Sequence, residues 1–433
     1  MKQLLTGGRV YTPNGFVLAD VAVDGGRIVS IARGLDGNGF DPICCDGCSI
    51  VSGFADVHVH LREPDFCYKE TIATGTAAAA HGGYTAVCSM PNLNPPPDTP
   101  AHLQQQLDCI AASAQVKVYP YGCITAGQRG RGALTHMAAL AQAGAIAFSD
   151  DGRGVQEESV MRAAMEQAAA NDLLLAAHCE DESLLTGGCI HDGRYAKEHG
   201  YRGICSASEW KQVERDLRLA KETGCRYHIC HVSTKETVAL VRRAKADGVR
   251  VTCETAPHYL LLCEDDLQED GAFKMNPPLR TAADRQALIA GLLDGTIDLI
   301  ATDHAPHSTA EKSGGLQGSL MGIVGLETAF PLLYTHLVLT GYLRLERLVE
   351  LLSVNPRRIF RLGGGLAPGQ PADLAVLDLE QRWRIDPGRF LSKGRATPFA
   401  GWQVLGQTRL TMVDGNIVYR MGQEENNDEK GMV

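Results

Sequence analysis

Gly53-Phe54-Ala55-Asp56-Val57-His58-Val59-His60-Leu61-Arg62 decides how this chain is read. An apolar run of strand-forming residues ends in two imidazoles and a guanidinium at alternate positions. Side chains two apart on a strand share a face, so His58, His60 and Arg62 are expected to converge. Two neutral imidazoles suit a metal ion, and a guanidinium just beyond them suits a carboxylate. The run is also the first of a series. Ala145-Ile146-Ala147-Phe148-Ser149 leads to Asp150-Asp151-Gly152, and Leu173-Leu174-Leu175-Ala176-Ala177 leads to His178. Tyr227-His228-Ile229-Cys230 leads to His231, and Asp298-Leu299-Ile300-Ala301-Thr302 leads to Asp303. Alanine-rich stretches of helical character, at 71–81, 160–170 and 283–293, lie between such runs. This alternation over residues 52–362 predicts an α/β fold, a (β/α)8 TIM-type barrel, whose reacting groups sit where the strands end.

The strand ends then ring one pocket with His58, His60, His178, His231, Asp151 and Asp303. That mixture of imidazoles and carboxylates suits zinc or a similar divalent ion. Six ligands exceed what one tetrahedral ion with an open position needs, so two ions bridged by a carboxylate and a hydroxide are the economical arrangement. A single histidine or aspartate at a strand end is as readily a cap or a satisfied core group; recurrence at several ends carries the weight. Asp150 and Asp151 are neighbours, and alternation lets only one of them face inward.

The flanks read differently. Residues 1–51 form short alternating segments with turn glycines, as in Val21-Ala22-Val23-Asp24-Gly25-Gly26-Arg27-Ile28-Val29, and the pattern returns after Gly363-Gly364-Gly365. Neither segment can bury a core alone, so 1–51 and 363–421 are expected to build one small β-sandwich subdomain, followed by a mobile acidic tail at 422–433. A chain of 433 residues with 44% hydrophobic and 21% charged residues can bury a large core. Its formal charge of -10 argues against nonspecific attraction to nucleic acid or anionic membrane and favours a small-molecule partner. No run is long and apolar enough to span a bilayer, and Met1-Lys2-Gln3-Leu4-Leu5-Thr6-Gly7-Gly8 lacks a sustained apolar region, which reads as cytoplasmic. The 14 cysteines accordingly read as reduced core residues. Cys44, Cys45 and Cys48 enclose the turn signal Asp46-Gly47 and have no second pair at matching spacing, which favours a structural over a zinc-binding reading. Cys179 and Cys230 adjoin His178 and His231 and should point to the opposite face from them.

Asp56-Val57-His58-Val59-His60-Leu61-Arg62-Glu63-Pro64 and Ala301-Thr302-Asp303-His304-Ala305-Pro306-His307, with Lys312 following, resemble the two motif regions of dihydroorotases in the amidohydrolase superfamily. Met90-Pro91-Asn92, His178-Cys179-Glu180-Asp181, His231-Val232-Ser233-Thr234-Lys235 and Met275-Asn276-Pro277-Pro278-Leu279-Arg280 follow in the same order. The likeness spans nearly the whole chain and is closest to the bacterial type I form. It implies that His58 and His60 hold a first zinc ion and His178 and His231 a second, two Zn2+ per subunit. Asp151 is implied to bridge them, where relatives use a carboxylated lysine. Asp303 is implied as both a ligand and the proton shuttle of a metal-bridging hydroxide. Substrate contacts are implied at His60, Arg62, Asn92, Asn276 and His307, and at the backbone of Met321 and Gly322. The implied reaction is the reversible cyclisation of N-carbamoyl-L-aspartate to L-dihydroorotate in pyrimidine (UMP) synthesis. The resemblance leaves a homodimer and an aspartate transcarbamoylase partner open.

Two alternatives stand beside it. Another cyclic amidohydrolase, of allantoinase or dihydropyrimidinase type, would normally carry a lysine to be carboxylated, and Phe148-Ser149-Asp150-Asp151-Gly152 offers none. Arg62 also argues for a charged substrate, since a neutral ring would leave a buried guanidinium unpaired. An inactive scaffold for the transcarbamoylase would be expected to have lost ligands. Asp65 departs from the family's usual glycine and is expected to be solvated on a loop. Ser319-Leu320-Met321-Gly322 departs from the usual residues before the glycine. Residues 308–320 are polar and glycine-rich, as in a closing lid or an ordinary loop. His228 is expected to pack in the core, His258 is a weaker site candidate, and Lys69 and Glu70 read as first-turn or surface residues.

Overall fold

The apolar runs pair as parallel strands. Phe54–Val59 and Tyr84–Ser89 are buried on both faces, as strands covered by helices must be. In this computed structural model, which describes residues 2–422, Phe54–Val59 pairs with Tyr84–Ser89, which pairs with Lys117–Pro120. Leu174–Ala177, Arg226–Ile229, Val251–Thr255 and Leu299–Ile300 form a second parallel set in that order. Single parallel bridges at Phe148, to Gly122 and to Leu175, join the two sets, and a bridge from Val59 to His304 joins the last strand to the first. Backbone bonds reinforce both joints: His60 N–H donates to the His304 carbonyl at 2.9 Å, and Ala176 N–H to that of Phe148 at 2.8 Å.

Between strands lie the predicted helices, Ile72–His81, Glu158–Ala170 and Ala282–Asp294, within two residues of their expected limits. Ile72–His81 starts at Thr71, whose hydroxyl accepts the Thr74 N–H, and Ala282–Asp294 starts at Thr281 with a reciprocal bond from Asp284. One expected strand is irregular: 145–149 keeps bridges only at Phe148, although its backbone bonds to Pro120, Gly122, Leu174 and Ala176, and the chain then turns to deliver Asp150 and Asp151.

The terminal segments share one eight-stranded sheet. Its order runs Asn416–Arg420, Gln403–Val413, Leu374–Arg384, Ser49–Ser52, Lys2–Thr12, Gly15–Asp24, Arg27–Ala32, with Asp41–Cys44 also on Lys2–Thr12. The seam is the antiparallel pairing of Leu374–Leu377 with Ser49–Ser52, which buries Ile50 and Val376 in one cluster. Gly25 and Gly26, both at positive φ, close the hairpin read from Val21 to Val29. Cys45 and Cys48 are buried across the turn that Asp46-Gly47 announced, and the Arg409 guanidinium donates to the Cys48 sulfur. Of the expected tail, 423–433 lies outside the described residues. Among the described residues no helix is long and apolar enough to cross a membrane.

Two surface readings are corrected. Glu70 is fully buried: its carboxylate takes bonds from Ser392 Oγ, Thr74 Oγ1 and the Lys393 N–H, and lies 3.4 Å from His304 Nε2. It ties the start of a helix to a segment more than 300 residues away, a contact that local patterning does not reveal. Lys69 is half-buried and reaches His307 Nδ1 at 3.3 Å and Glu311 at 2.9 Å.

Candidate metal centre and ligand cavity

The strand ends bring the six expected ligands together. His58 Nε2 lies 3.3 Å from Asp151 Oδ1 and 3.4 Å from Asp303 Oδ1, and His60 Nε2 lies 3.1 Å from Asp303 and 3.6 Å from Asp151 Oδ2. His178 Nδ1 and His231 Nε2 face each other at 2.9 Å, at 3.8 and 3.7 Å from Asp151 Oδ1. Three residues there reach the site through left-handed backbone: Arg62 (φ 62°), His231 (φ 33°) and Asp303 (φ 50°). Such conformations are costly for residues with side chains and concentrate at functional sites. They also correct the simple alternation argument, because the strand ends at Val59 and Arg62 is turned inward by its φ rather than by pleating.

The outer nitrogens of the imidazoles set their tautomers. His58 Nδ1 donates to Glu254 Oε1 at 2.7 Å, and His60 Nδ1 donates to the Asn92 carbonyl oxygen at 2.8 Å. His178 Nε2 lies 3.5 Å from Glu180 Oε2. The remaining lone pairs of His58 and His60 therefore point at Asp151 and Asp303. Lone pairs and carboxylates aimed at a common point repel unless a cation sits among them. Two buried atoms here, His58 Nε2 and Asp151 Oδ1, have no hydrogen-bond partner. Unpartnered buried polar atoms are costly. The donor set fits metal, and three overlapping groups each gather ligand atoms within 4.8 Å: His58, His231, Asp303; His58, His60, Asp151; and Asp151, His178, His231.

Burial works against charge on Asp303, yet His58 and His60 outweigh it and hold the carboxyl well below its usual range. Asp151 behaves the same way, with His58 and His231 opposing the effect of burial. Asp150 resolves as the outward neighbour: its carboxylate accepts from the Ile124, Thr125 and Gly130 N–H groups and from Thr125 Oγ1 at 2.5 Å, fixing the loop beside the site.

The cavity above this cluster, of about 240 Å³, meets every residue expected to touch substrate. Arg62, Asn92, His178, Asn276, His307 and Met321 are among its lining residues. Arg62 is 8% exposed, and burial lowers its pKa to about 10. Its one hydrogen bond is from Nε to the Pro306 carbonyl at 3.3 Å, so both terminal nitrogens lack a partner among the described residues. His307 Nε2 donates to the Met321 carbonyl at 2.8 Å, leaving Nδ1 to accept from Lys69. Burial, with Arg62 and Lys69, pushes its pKa down to about 3, so the ring is neutral. Asn276 Nδ2 donates to Glu180 at 3.0 Å, which places it against the His178 support. The 308–320 segment folds back as two short helices, Thr309–Lys312 and Gly315–Gly318. Lys312 holds them there by donating to the carbonyls of Lys274, Leu320 and Gly322 at 2.7 to 3.0 Å. Asp65 is exposed and accepts from Asn94 at 2.6 Å, so it does not compete for Arg62.

Glu254 escaped the sequence reading. It is 1% exposed, takes His58 Nδ1 on one oxygen and lies 3.1 Å from His228 Nε2 with the other. The two imidazoles outweigh its burial and lower its pKa to about 2. The available signal was an acid in the middle of Val251-Thr252-Cys253-Glu254-Thr255, a run otherwise read as apolar strand. His228 is buried in the core as expected. His258 is also buried and does not line the cavity, and its Nε2 has no hydrogen-bond partner.

Residues 47–237 match a family described as dihydro-orotase-like. A protein named dihydroorotase from Anoxybacillus flavithermus (strain DSM 21510 / WK1) is 53% identical over 412 residues, 94% of this chain and 96% of its own. Another of that name, from Shouchella clausii (strain KSM-K16), is 52% identical over 424 residues, 97% and 98% of the two chains. Among solved structures, the L-hydantoinase (dihydropyrimidinase) from Arthrobacter aurescens superposes with a TM-score of 0.87 at 27% identity, covering 98% of this chain and 97% of its own. The dihydropyrimidinase from Brevibacillus agri NCHU1002, at 21% identity and TM-score 0.83 over 97% and 95% of the two chains, shares the fold.

Proposed function

The chain belongs to the dihydroorotase family, and from that premise we propose that it is a metal-dependent enzyme interconverting N-carbamoyl-L-aspartate and L-dihydroorotate. Arg62 carries this reading: a buried guanidinium with two unpartnered nitrogens facing the ligand cavity calls for a carboxylate on the substrate. We read the closed strand order as a (β/α)8 barrel spanning 52–362, and the shared terminal sheet as a sandwich subdomain from 1–51 and 363–421. We place the reaction, on a small-molecule substrate of pyrimidine synthesis, in the cytoplasm.

His58 and His60 would hold one ion, His178 and His231 a second, with Asp151 between them and Asp303 beside the first; we assign both as Zn2+ from the imidazole-carboxylate donor set. Bound metal supplies a water acidic enough to attack at neutral pH and polarises the amide carbonyl. In ring opening, Asp303 accepts the proton from the attacking water and returns it to the departing ring nitrogen. In ring closure the same carboxyl takes the proton of the attacking ureido nitrogen and passes it to the oxygen that leaves as water. Arg62, through two parallel bonds, and Asn92, through its amide N–H, hold the carboxylate that does not react, and His307 lines its pocket. Asn276 and the backbone at Met321 and Gly322 orient the ring.

The hydantoinase fold likeness favours a second reading, hydrolysis of a neutral cyclic amide, which Arg62 and the absence of lysine in 148–152 oppose. An inactive scaffold would not need six ligands gathered at one cavity. Ultraviolet-monitored interconversion of N-carbamoyl-aspartate and dihydroorotate tests the proposal, with turnover expected from zinc-loaded protein and lost on chelation. Absence of turnover by metal-replete protein, or faster hydrolysis of hydantoin, would sink it.

A further inference from the structure

A second cavity, of about 300 Å³, opens at the opposite end of the strands that deliver His178, His231 and Glu254. Arg226, Arg250, Arg358 and Arg361 line it. Tyr227 pairs with Val251, so Arg226 and Arg250 stand side by side at the starts of adjacent strands, about 4.8 Å apart. Arg358 and Arg361 come from the end of the helix Asn355–Phe360 and the turn after it. Four guanidiniums converge on one cavity in a chain whose formal charge is -10.

Their pairing is incomplete. Asp172 is their one carboxylate partner, shared between Arg250 at 2.9 Å and Arg361 at 2.6 Å. Arg226 is held by carbonyls, donating to that of Ile359 at 2.7 Å and to that of Asp172 at 3.3 Å. Arg358 has no hydrogen-bond or ion-pair partner among the described residues, and it is exposed. Four guanidiniums against one carboxylate leave three positive charges uncompensated; Arg226, Arg250 and Arg361 are held by backbone carbonyls or by Asp172, and Arg358 is unheld. Burial and the neighbouring Arg361 and Arg250 lower the pKa of Arg226, the effect expected where like charges are forced together.

We propose that this cavity binds a polyphosphate chain, free or as part of a nucleotide, with Arg226, Arg250, Arg358 and Arg361 as the phosphate contacts. Several uncompensated charges spread over two strand starts and a helix end match an extended multivalent anion better than a single carboxylate, and guanidinium forks suit phosphate oxygens. Leu174 and Ile359 provide an apolar wall beside the arginines on which a base can rest.

Calorimetric titration of magnesium-saturated inorganic triphosphate into metal-loaded protein tests this, with the other cavity filled by saturating dihydroorotate so that only this site is open. The proposal expects saturable binding of one triphosphate per chain. Affinity should fall at least tenfold in Arg358→Glu and between low and high salt, with turnover of Arg358→Glu unchanged. Arg250→Gln, which removes a paired guanidinium, provides a second variant with the same expected direction. Adenosine triphosphate distinguishes the sources: equal affinity means that phosphates alone are read, tighter binding that the wall also takes a base, and either supports the site. No saturable binding at millimolar triphosphate, or the same affinity in both variants, overturns it.

Discussion

The two walls of the catalytic cavity are built by different means. The ligand wall is supported by acids and an amide: buried Glu254 behind His58, and half-buried Asn92 and Glu180 beside His60 and His178. Most of its groups sit at strand ends. The facing wall of Arg62, His307 and Met321 lies on connecting segments, and it is held by backbone carbonyls and by the Lys312 clamp. On the proposed function, the first wall would fix the chemistry through converging lone pairs, and the second would select substrate through the two terminal nitrogens of Arg62. Enzymes named for hydantoin or dihydropyrimidine share this fold, and a shared fold does not fix what is bound.

Breaking the ligand wall should cost most. Asp303→Asn keeps the shape and removes the proton acceptor, so turnover should drop about 10³-fold or more with the melting temperature nearly unchanged. Near-normal turnover would take Asp303 out of the proton path. One layer further back, Glu254→Gln leaves His58 in place but weakens the acceptor that fixes its tautomer. Zinc affinity, followed by competition with a chromophoric chelator, should fall about 10–100-fold. An unchanged zinc affinity would make Glu254 a packing residue only.

The facing wall gives a smaller, pH-dependent signature. His307 titrates at about 3 in the fold, against about 6.5 when unperturbed. Between those values only the unfolded chain takes up the proton, so its contribution to stability is lost as pH falls from 6.5 toward 3. Urea midpoints for wild type and His307→Asn should therefore converge or cross on acidification, wild type losing about 2 kcal/mol more than the variant by pH 5. A constant gap across that range would mean that His307 is not held neutral by its surroundings.

What could be read from the chain follows the same division. Each metal-ligand candidate ends an apolar run, and a polar residue at the end of such a run stands out without knowledge of contacts. The tie between Asp150 and Asp151 needed the donors of 124–130, which are 20 or more residues upstream. Glu254 was hidden inside a strand because its partners, His58 and His228, come from two other strands. Glu70 and Lys69 were misread for a related reason. A helix start accounts for a charged residue locally, while their actual partners Ser392 and His307 lie far along the chain. The joining of both termini was legible because neither β segment could bury a core alone. Its seam, Leu374–Leu377 on Ser49–Ser52, was not.

We propose a division of labour in which the ligand wall supplies the chemistry and Arg62 the choice of substrate. It is tested most directly by comparing kcat/KM for dihydroorotate with that for 5,6-dihydrouracil, the same ring without its carboxylate, in wild type and Arg62→Gln. Wild type should prefer dihydroorotate by about 10²-fold or more, as loss of a charge-paired contact implies, and Arg62→Gln should erase most of that preference by losing dihydroorotate turnover. A preference that survives the substitution, or a wild-type enzyme that favours dihydrouracil, would contradict it.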